Sequence, residues 1–326
     1  MMTSVSAVFL VGMPRSGTKL LRDLLNRHPR IAIPEAETEF LPWLDLWVQE
    51  HGEPAHRKDF DHLWQTVRQQ QFFAYRAESG RPLDPDAWYS ACQGATSAAL
   101  FEALVRADTG TIGKDVIWGD KSPSYVDDIH LIHRLYPDAC VIHLVRDVRD
   151  YCSSIRRAWG KNVLRAAQAW HEGVDAARQQ GAVLTDRYIE LRYEDLLADP
   201  EGQLRRICSR IGIDFQPAML QLERATENLG RTQGAAHVVR GNAGRFREEL
   251  SESELRAIER IAGATLRAFG YERLFPQEPH LPLSGLQRRK YQLLDAVNLM
   301  RFEQSQRGWI GALLFHWRRY RAVHGR

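Results

Sequence analysis

The sequence predicts an α/β fold in three layers, with a central, mainly parallel sheet, helices on both faces and a basic helical tail at the C-terminal end. Three observations carry this reading. Residues 7–25, AVFLVGMPRSGTKLLRDLL, pass from a β-branched apolar run through a glycine-bounded turn into leucines at helical spacing. Cys140–Val145 is an almost wholly apolar run that leads straight into a helical stretch, the pattern of a strand buried on both faces. Further short apolar runs, at 31–33, 116–118 and 187–191, alternate with helical patterns.

In the first unit, Ala7 to Val11 reads as a strand, Gly12 to Gly17 as a tight turn, and Leu20, Leu21, Leu24 and Leu25 as one face of a helix. A strand, a glycine turn and a helix N-terminus aim backbone N–H groups and a helix dipole at one point, which suits an anion. Ser16, Gly17 and Thr18 are small enough for a phosphate to approach the backbone, and Arg15 adds a fixed positive charge. The geometry is P-loop-like. In Gly12-Met13-Pro14-Arg15-Ser16-Gly17-Thr18-Lys19 the glycines match G-x-x-x-x-G-K-[ST], but Thr18 and Lys19 are transposed. A lysine directly after the glycine and a hydroxyl after it are what hold a metal-bound triphosphate. This loop is therefore built for a phosphate and lacks that equipment.

Composition sets bounds. The chain has 326 residues, 44% of them hydrophobic, which suits one large α/β domain with an appendage. A net charge of +3 gives no general nucleic-acid footprint. Cys92, Cys140, Cys152 and Cys208 form no C-x-x-C pair, so reduced thiols are expected. The first apolar run has no basic region before it and reads as a core strand rather than a signal peptide. No stretch approaches the ~20 apolar residues of a spanning helix. The expected location is the cytoplasm.

After the first helix, His28-Pro29 ends regular structure, and Ile31 to Ile33 is a second short strand. The acidic turn Pro34-Glu35-Ala36-Glu37-Thr38-Glu39 follows it, at the carboxyl end where open α/β sheets bind ligands. A carboxylate there could act as a general base. Residues 42–110 read as a peripheral helical insertion, broken into two blocks near Gly80-Arg81-Pro82 and Asp84-Pro85. Its aromatic residues read as core, and the insertion could wall an acceptor pocket. Val116 to Trp118 is a third strand, with Gly119-Asp120-Lys121-Ser122-Pro123 as the turn after it. That turn reads equally as an anion-lined rim or as a plain turn with a solvated lysine. Residues 125–135 form a short helix. His143 alternates into an apolar face and reads as a core residue.

Arg146 closes the strand at 140–145, and Asp147 is a helix N-cap. Ser154 lies eight residues after Arg146, roughly 80° out of phase on a helix, so spacing permits a shared ligand without requiring one. Residues 162–180, 201–211 and 217–227 read as helices, and Tyr193 to Leu196 as the start of a turn. Residues 230–246 form a basic glycine-rich loop with Arg240, Gly244 and Arg245. Ser251-x-x-Glu254 is a capping box opening the helix that ends near Gly270. The tail from about 283 carries Arg288, Arg289, Lys290, Arg301, Arg307, Arg318, Arg319, Arg321 and Arg326 against Asp295 and Glu303, interleaved with Trp309, Leu313, Phe315 and Trp317. Such a segment docks on an anionic membrane, on its own domain or on a second subunit.

Together these pieces resemble a sulfotransferase that uses 3'-phosphoadenylyl sulfate (PAPS), over roughly residues 7–275. GMPRSGTKLL (12–21) is similar to that family's 5'-phosphosulfate loop, in the form found in protein-tyrosine and bacterial sulfotransferases. VIHLVRDVRDYCSSI (141–155) is similar to its 3'-phosphate motif, and WGDKSP (118–123), RYEDL (192–196) and GRFRE (244–248) to lesser signatures. The resemblance implies a sulfotransferase domain over 1–280 with its insertion at 42–110, and the tail at 281–326. It implies PAPS as co-substrate, adenosine 3',5'-bisphosphate as product, and no metal. Arg15, Ser16, Gly17, Thr18, Lys19, Arg146, Ser154, Tyr193, Arg240, Gly244 and Arg245 would hold the donor. Arg15 and Glu37 would be catalytic. The proposed family base matches Glu37 with one inserted residue, whereas a gapless match puts the first acid on Glu35 and the base on Ala36. Lys19 departs from the small residue usual in the family. The acceptor is left open among small molecules, carbohydrates, lipids and peptides; no nucleic acid is implied. The tail leaves peripheral membrane attachment and self-association open. A nucleotide kinase or NTPase with an altered loop, and an inactive adaptor that kept the fold, remain as alternatives.

Overall fold

The structure, a computed structural model, describes residues 5–226 and 232–301, together with 304 and 308. Five strands form one sheet: β1 (Ala7–Val11), β2 (Ile31–Ala32), β3 (Ile117–Lys121), β4 (Cys140–Val145) and β5 (Tyr188–Arg192). Their order is β2-β3-β1-β4-β5, and every neighbouring pair is parallel. The register sets Leu10 opposite Lys121 and Val11 opposite His143, so β1 ends between β3 and β4.

Both faces of β1 and β4 are covered, which is why their residues are apolar without alternation. Val8, Leu10, Ile142 and Leu144 face α1 (Thr18–Leu25) and a later helical pair. Phe9, Val11 and Val141 face the insertion, which is five helices: α2 (Leu41–His51), α3 (Arg57–Val67), α4 (Gln71–Glu78), α5 (Pro85–Ala91) and α6 (Ser97–Thr109). Its rings pack on one another, as expected of core: Phe60, Phe72, Trp88 and Phe101 are buried, and Trp88 Nε1 donates to the Leu100 carbonyl at 2.8 Å. The insertion is thus more finely divided than the two blocks expected.

The remaining helices are α7 (Ile129–Leu135), α8 (Val148–Trp159), α9 (Val163–Gly181), α10 (Tyr193–Ala198), α11 (Pro200–Ile211), α12 (Phe246–Glu249) and α13 (Glu252–Ala268). α10 and α11 complete the layer with α1, while α8, α9 and α13 pack around Trp170. The expected capping box at Ser251 and Glu254 is formed in full. His143 is buried with its Nδ1 2.7 Å from the Tyr188 hydroxyl, and burial pushes its pKa down to about 3, so it is a neutral core group. Cys140, Cys152 and Cys208 are buried and all four thiols are free.

Three local expectations differ from the structure. β3 runs on through Gly119, Asp120 and Lys121 instead of turning after Trp118. A Cβ at Gly119 would collide with the Val8 carbonyl, so glycine here permits close strand pairing rather than a turn. Tyr193 to Ala198 is helical from its first residue. The helix expected over 217–227 shrinks to a 3-10 turn at Pro217–Leu220. Beyond it Glu223 pairs with Arg27 and Arg224 with Glu35, long-range ties that hold this stretch out of a regular helix. Residue 227, and Arg307, Arg318, Arg319, Arg321 and Arg326 of the tail, lie outside the described residues.

One buried ionic knot joins the third helical layer. Arg149 donates to Asp147 through Nε (2.9 Å) and Nη2 (2.6 Å), and to Glu259 through Nη1 (2.7 Å). Glu259 also accepts the N–H groups of Leu274 and Phe275 at 2.9 Å. Removing one member of such a buried set leaves a charge uncompensated. Glu259→Ala is expected to lower the unfolding free energy by about 3–5 kcal/mol in a denaturant titration. A loss below about 1 kcal/mol would mean that the knot is solvated when the protein is folded.

Candidate active site

All five strands run the same way, so their carboxyl ends share one rim. The loop after β1 sits at its centre, where the chain order reverses between β1 and β4. Two glycines allow the loop to lie this close. A Cβ on Gly12 would strike the Leu144 carbonyl, and one on Gly17, at φ +94°, would strike the Tyr193 ring. Arg15 itself adopts a left-handed φ of 71°, a strained state for a residue with a side chain. Ser16 is buried, and its Oγ has no hydrogen-bond partner among the described residues.

Arg146 leaves the end of β4 and reaches back to this loop. Its Nη1 donates to the Arg15 carbonyl at 3.2 Å and its Nη2 to the Asn242 carbonyl at 3.0 Å. The guanidinium lies over the Tyr193 ring, 4.8 Å from its centroid, a cation–π arrangement. Its Nε is buried without a partner among the described residues. Trp170 Nε1 donates to the Arg146 carbonyl at 3.0 Å, which fixes the strand end. Asn242 Nδ2 donates to the Tyr193 hydroxyl at 2.9 Å, tying the 232–245 loop across the opening. Arg15, Gly17, Leu20, Arg146, Tyr193, His237 and Asn242 line one small, partly open cavity.

Two of the three lesser motifs, RYEDL and GRFRE, act as scaffolding for this corner. Glu194 accepts the Asp147 N–H at 3.1 Å and the Tyr271 hydroxyl at 2.6 Å, bracing the turn after β4. Asp150, on α8, accepts the N–H groups of Gly244 (2.6 Å) and Phe246 (2.8 Å), anchoring the returning loop.

On the other side of the central loop lies the acidic turn. Its three carboxylates differ sharply. Glu35 is bracketed by Arg224 (3.0 Å) and Arg81 (3.3 Å). Burial raises its pKa, but the two arginines outweigh that and hold it below the usual range. Glu37 pairs with Lys121 Nζ, and Lys121 is fully buried at the end of β3. Burial pushes the Lys121 pKa down, and the Glu37 carboxylate opposes that push. Glu39 stands at φ 55° and accepts from Ser124 Oγ at 3.5 Å.

A buried hydroxyl network holds this turn in place. Thr38 Oγ1 donates to Asp120 Oδ2 at 3.0 Å and lies 2.8 Å from the Tyr125 hydroxyl. Ser122 Oγ accepts the N–H groups of Thr38 (3.1 Å) and Glu39 (3.2 Å), and Tyr125 accepts that of Leu41 (2.9 Å). From below, Arg22 on α1 donates to the Glu35 carbonyl at 2.5 Å, and Asn26 makes two bonds with the backbone of Ile33.

The structure brings four of the sequence-derived site residues, Arg15, Gly17, Arg146 and Tyr193, to the same cavity. Ser16 and Thr18 belong to the same loop and are buried; Lys19 opens onto the first turn of α1. Ser154 is buried on α8 and does not line the cavity. Arg240 is exposed, Arg245 pairs with Glu248 at 3.0 Å, and the Gly244 N–H is taken by Asp150, so none of these three lines it either. Sequence reading missed Asn242 and the structural part played by Asp120, Thr38 and Tyr125. It named Lys121 without seeing that it meets Glu37. A lysine inside a near-apolar strand, three residues from Trp118, was the available signal.

Residues 7–217 match the model of the Sulfotransferase family. Nodulation protein NoeE of Sinorhizobium fredii is 27% identical over 81% of this chain and 65% of its own length, so the chain spans somewhat less than two thirds of that protein. The omega-hydroxy-beta-dihydromenaquinone-9 sulfotransferase Stf3 of Mycobacterium tuberculosis is 25% identical over 84% of this chain and 77% of its own. Among solved structures, the sulfotransferase domain of the curacin biosynthetic pathway superposes with a TM-score of 0.54 at 19% identity, covering 82% of this chain and 98% of that one.

Asp120 gives the site a pH signature. Burial pushes its pKa up to about 7, against the pull of Ser122, Thr38 and Lys121. In the unfolded chain it would ionise near ~4. Between those values the folded state keeps a proton that the unfolded state has released, so this group lowers stability as pH rises from about 4 to 7. Asp120→Asn lacks the term. Its unfolding free energy relative to the parent, followed by denaturant titration, should therefore climb from pH 4 to 7 and level off above, a change on the order of a few kcal/mol. A difference that stays flat across that range would show that Asp120 ionises normally.

Proposed function

The chain belongs to the sulfotransferase family, and from that premise we propose that it moves a sulfuryl group from PAPS to a hydroxyl or amine acceptor by in-line displacement. One observation carries the donor assignment: Arg15 and Arg146, from the ends of adjacent strands, line one cavity. A donor phosphorylated at both ends of its ribose needs two cationic pockets that close together. Two further features support the fit. Ser16 Oγ and Arg146 Nε are buried polar groups whose hydrogen bonds are incomplete among the described residues, and Gly17, lacking a Cβ, lets the Tyr193 ring close against the loop.

PAPS, when bound, supplies the sulfuryl group and departs as adenosine 3',5'-bisphosphate. The remaining work belongs to the chain. Arg15 and the amides of Ser16 to Thr18 stabilise negative charge at the 5' end. Arg146, held over Tyr193, orients the 3'-phosphate. Glu37 takes the acceptor proton. Glu35 is poorly suited to that task, because its two arginine partners stabilise the ionised form and make it a weak base. Lys121 fixes the Glu37 carboxylate on the rim one strand away from the phosphate loop. Glu37 leads directly into α2, so the insertion supplies the nearest wall for an acceptor.

Thermal-shift titration with adenosine 3',5'-bisphosphate beside ATP–Mg²⁺ tests the donor. The bisphosphate should raise the melting temperature by mass action and ATP–Mg²⁺ should not. The reverse result would place the chain with the nucleotide kinases. With an acceptor in hand, Arg15→Ala should cut turnover by about 10²–10³. Arg146→Ala should chiefly raise the KM for PAPS. Glu37→Gln should cost about 10²–10⁴ in turnover while Glu35→Gln leaves it nearly unchanged. Full activity in Arg15→Ala would overturn the assignment of the loop.

A further inference from the structure

The charge of this chain is not evenly spread. From 281 onward it carries nine Lys and Arg against two acids, and so the first 280 residues carry 35 against 39. A net +3 is the sum of a body at −4 and a C-terminal segment at +7. The described part of that segment, helical over 285–301, shows how its charges are sorted.

The helix opens on a reciprocal cap. Ser284 N donates to Gln287 Oε1 at 2.9 Å and Gln287 N to Ser284 Oγ at 3.3 Å. One side of it is docked. Asp295, the only acid in 285–301, is buried, and accepts Asn162 N and Arg165 Nη1, both at 2.7 Å. Asn298 Nδ2 donates to the Gly160 carbonyl at 2.8 Å, Arg288 pairs with Glu172 at 2.7 Å, and Tyr291 packs on the core of α8, α9 and α13. The helix is thus fastened across the junction of α8 and α9.

The opposite side faces outward and is apolar. Leu286 is 81% and Leu293 71% exposed, and Val297 and Met300 are each about half exposed. At 100° per residue these four fall within an arc of about 60°. Lys290 and Arg301 flank the stripe on one edge and Arg289 on the other, all exposed. An apolar stripe edged by cations, on a helix whose acid is turned inward, matches the interface between the headgroups and acyl chains of an anionic bilayer. No described helix is long and apolar enough to cross a membrane, so this one would lie on the surface. The sequence beyond 301 adds Arg307, Arg318, Arg319, Arg321 and Arg326, with Trp309, Leu313, Phe315 and Trp317.

We propose that the outward face of the 285–301 helix is a docking surface for anionic lipid membranes. A second copy of this chain is the poorer match, because like charges would oppose one another across the seam. The inference stands apart from the proposed activity and needs no donor or acceptor.

The test uses the full chain with vesicles of phosphatidylcholine alone and of phosphatidylcholine with phosphatidylserine, read by co-sedimentation at low and physiological salt. Binding should require phosphatidylserine and weaken as salt rises. Reversing three charges in Arg289→Glu/Lys290→Glu/Arg301→Glu should weaken binding more than a hundredfold, at about fivefold per charge lost near an anionic surface. Leu286→Asp/Leu293→Asp should also abolish it. Both variants change exposed positions, and unchanged melting temperatures will establish that they are folded. Equal binding to neutral vesicles, or unaltered binding by both variants, overturns the proposal. Light scattering that finds a parent dimer turned monomer by Leu286→Asp/Leu293→Asp, without vesicle binding, assigns the face to a second copy instead.

Discussion

The site depends on one guanidinium that is held firmly without being neutralised by contact. Arg146 is almost buried, yet its two hydrogen bonds go to backbone carbonyls, of Arg15 and Asn242, and its face to the ring of Tyr193. Carbonyls and rings orient a cation without cancelling its charge, and the Asp150 carboxylate that interacts with it electrostatically is also engaged by the amides of Gly244 and Phe246. A buried cation in that state is costly on its own, and an anion brought to its open side lowers the cost. The same contacts stitch together three segments far apart in sequence: the loop after β1, the end of β4, and the loop returning through 242. Motion in any one of them would misplace the others.

The acidic turn meets a complementary constraint. Three residues before α2 begins, Thr38 is locked to Asp120, Ser122 and Tyr125 through buried hydroxyls. That lock sits one strand from the phosphate loop because Lys121 pairs with Leu10 in register and Gly12 follows two residues later. Sheet register, not loop length, therefore sets how far Glu37 stands from the cavity at Arg15 and Arg146. The network also explains why three acids in one turn differ. Glu35 faces the arginines of the insertion and of residue 224, Glu37 faces the buried lysine, and Glu39 bends away at positive φ.

Much of this was legible in sequence because its causes are local. Apolar runs with abrupt changes of period mark β1–α1 and β4–α8, and glycine at 12 and 17 marks the tight loop; all are short-range effects. Membership of the family and the parallel sheet followed from them. What sequence did not reveal depends on partners distant along the chain. Nothing near Lys121 says that Glu37 will meet it from 84 residues away. Nothing near Pro217 says that Glu223 and Arg224 will be drawn to Arg27 and Glu35 and so deny the segment its helix. Glycine 119 misled for a similar reason: in isolation it reads as a turn, and only the approach of the Val8 carbonyl shows it to be a strand residue.

The packing of the insertion bears on the proposed acceptor wall. Its aromatic residues invite reading as a cage, but Phe60, Trp64, Phe73 and Trp88 pack edge to face or tilted against each other and against the sheet side of the domain. Rings committed to one another cannot also close on a ligand without opening the core. The hollow that does exist there, lined by Phe60, Tyr89, Cys92 and Leu100, shares no lining residue with the cavity at Arg15 and Arg146. What the insertion presents to Glu37 is its near edge: the entry into α2 and Arg81, which already reaches the turn through Glu35. Under the proposed function, selectivity among acceptors is assigned to that edge and its polar contacts at the rim rather than to the aromatic interior behind it.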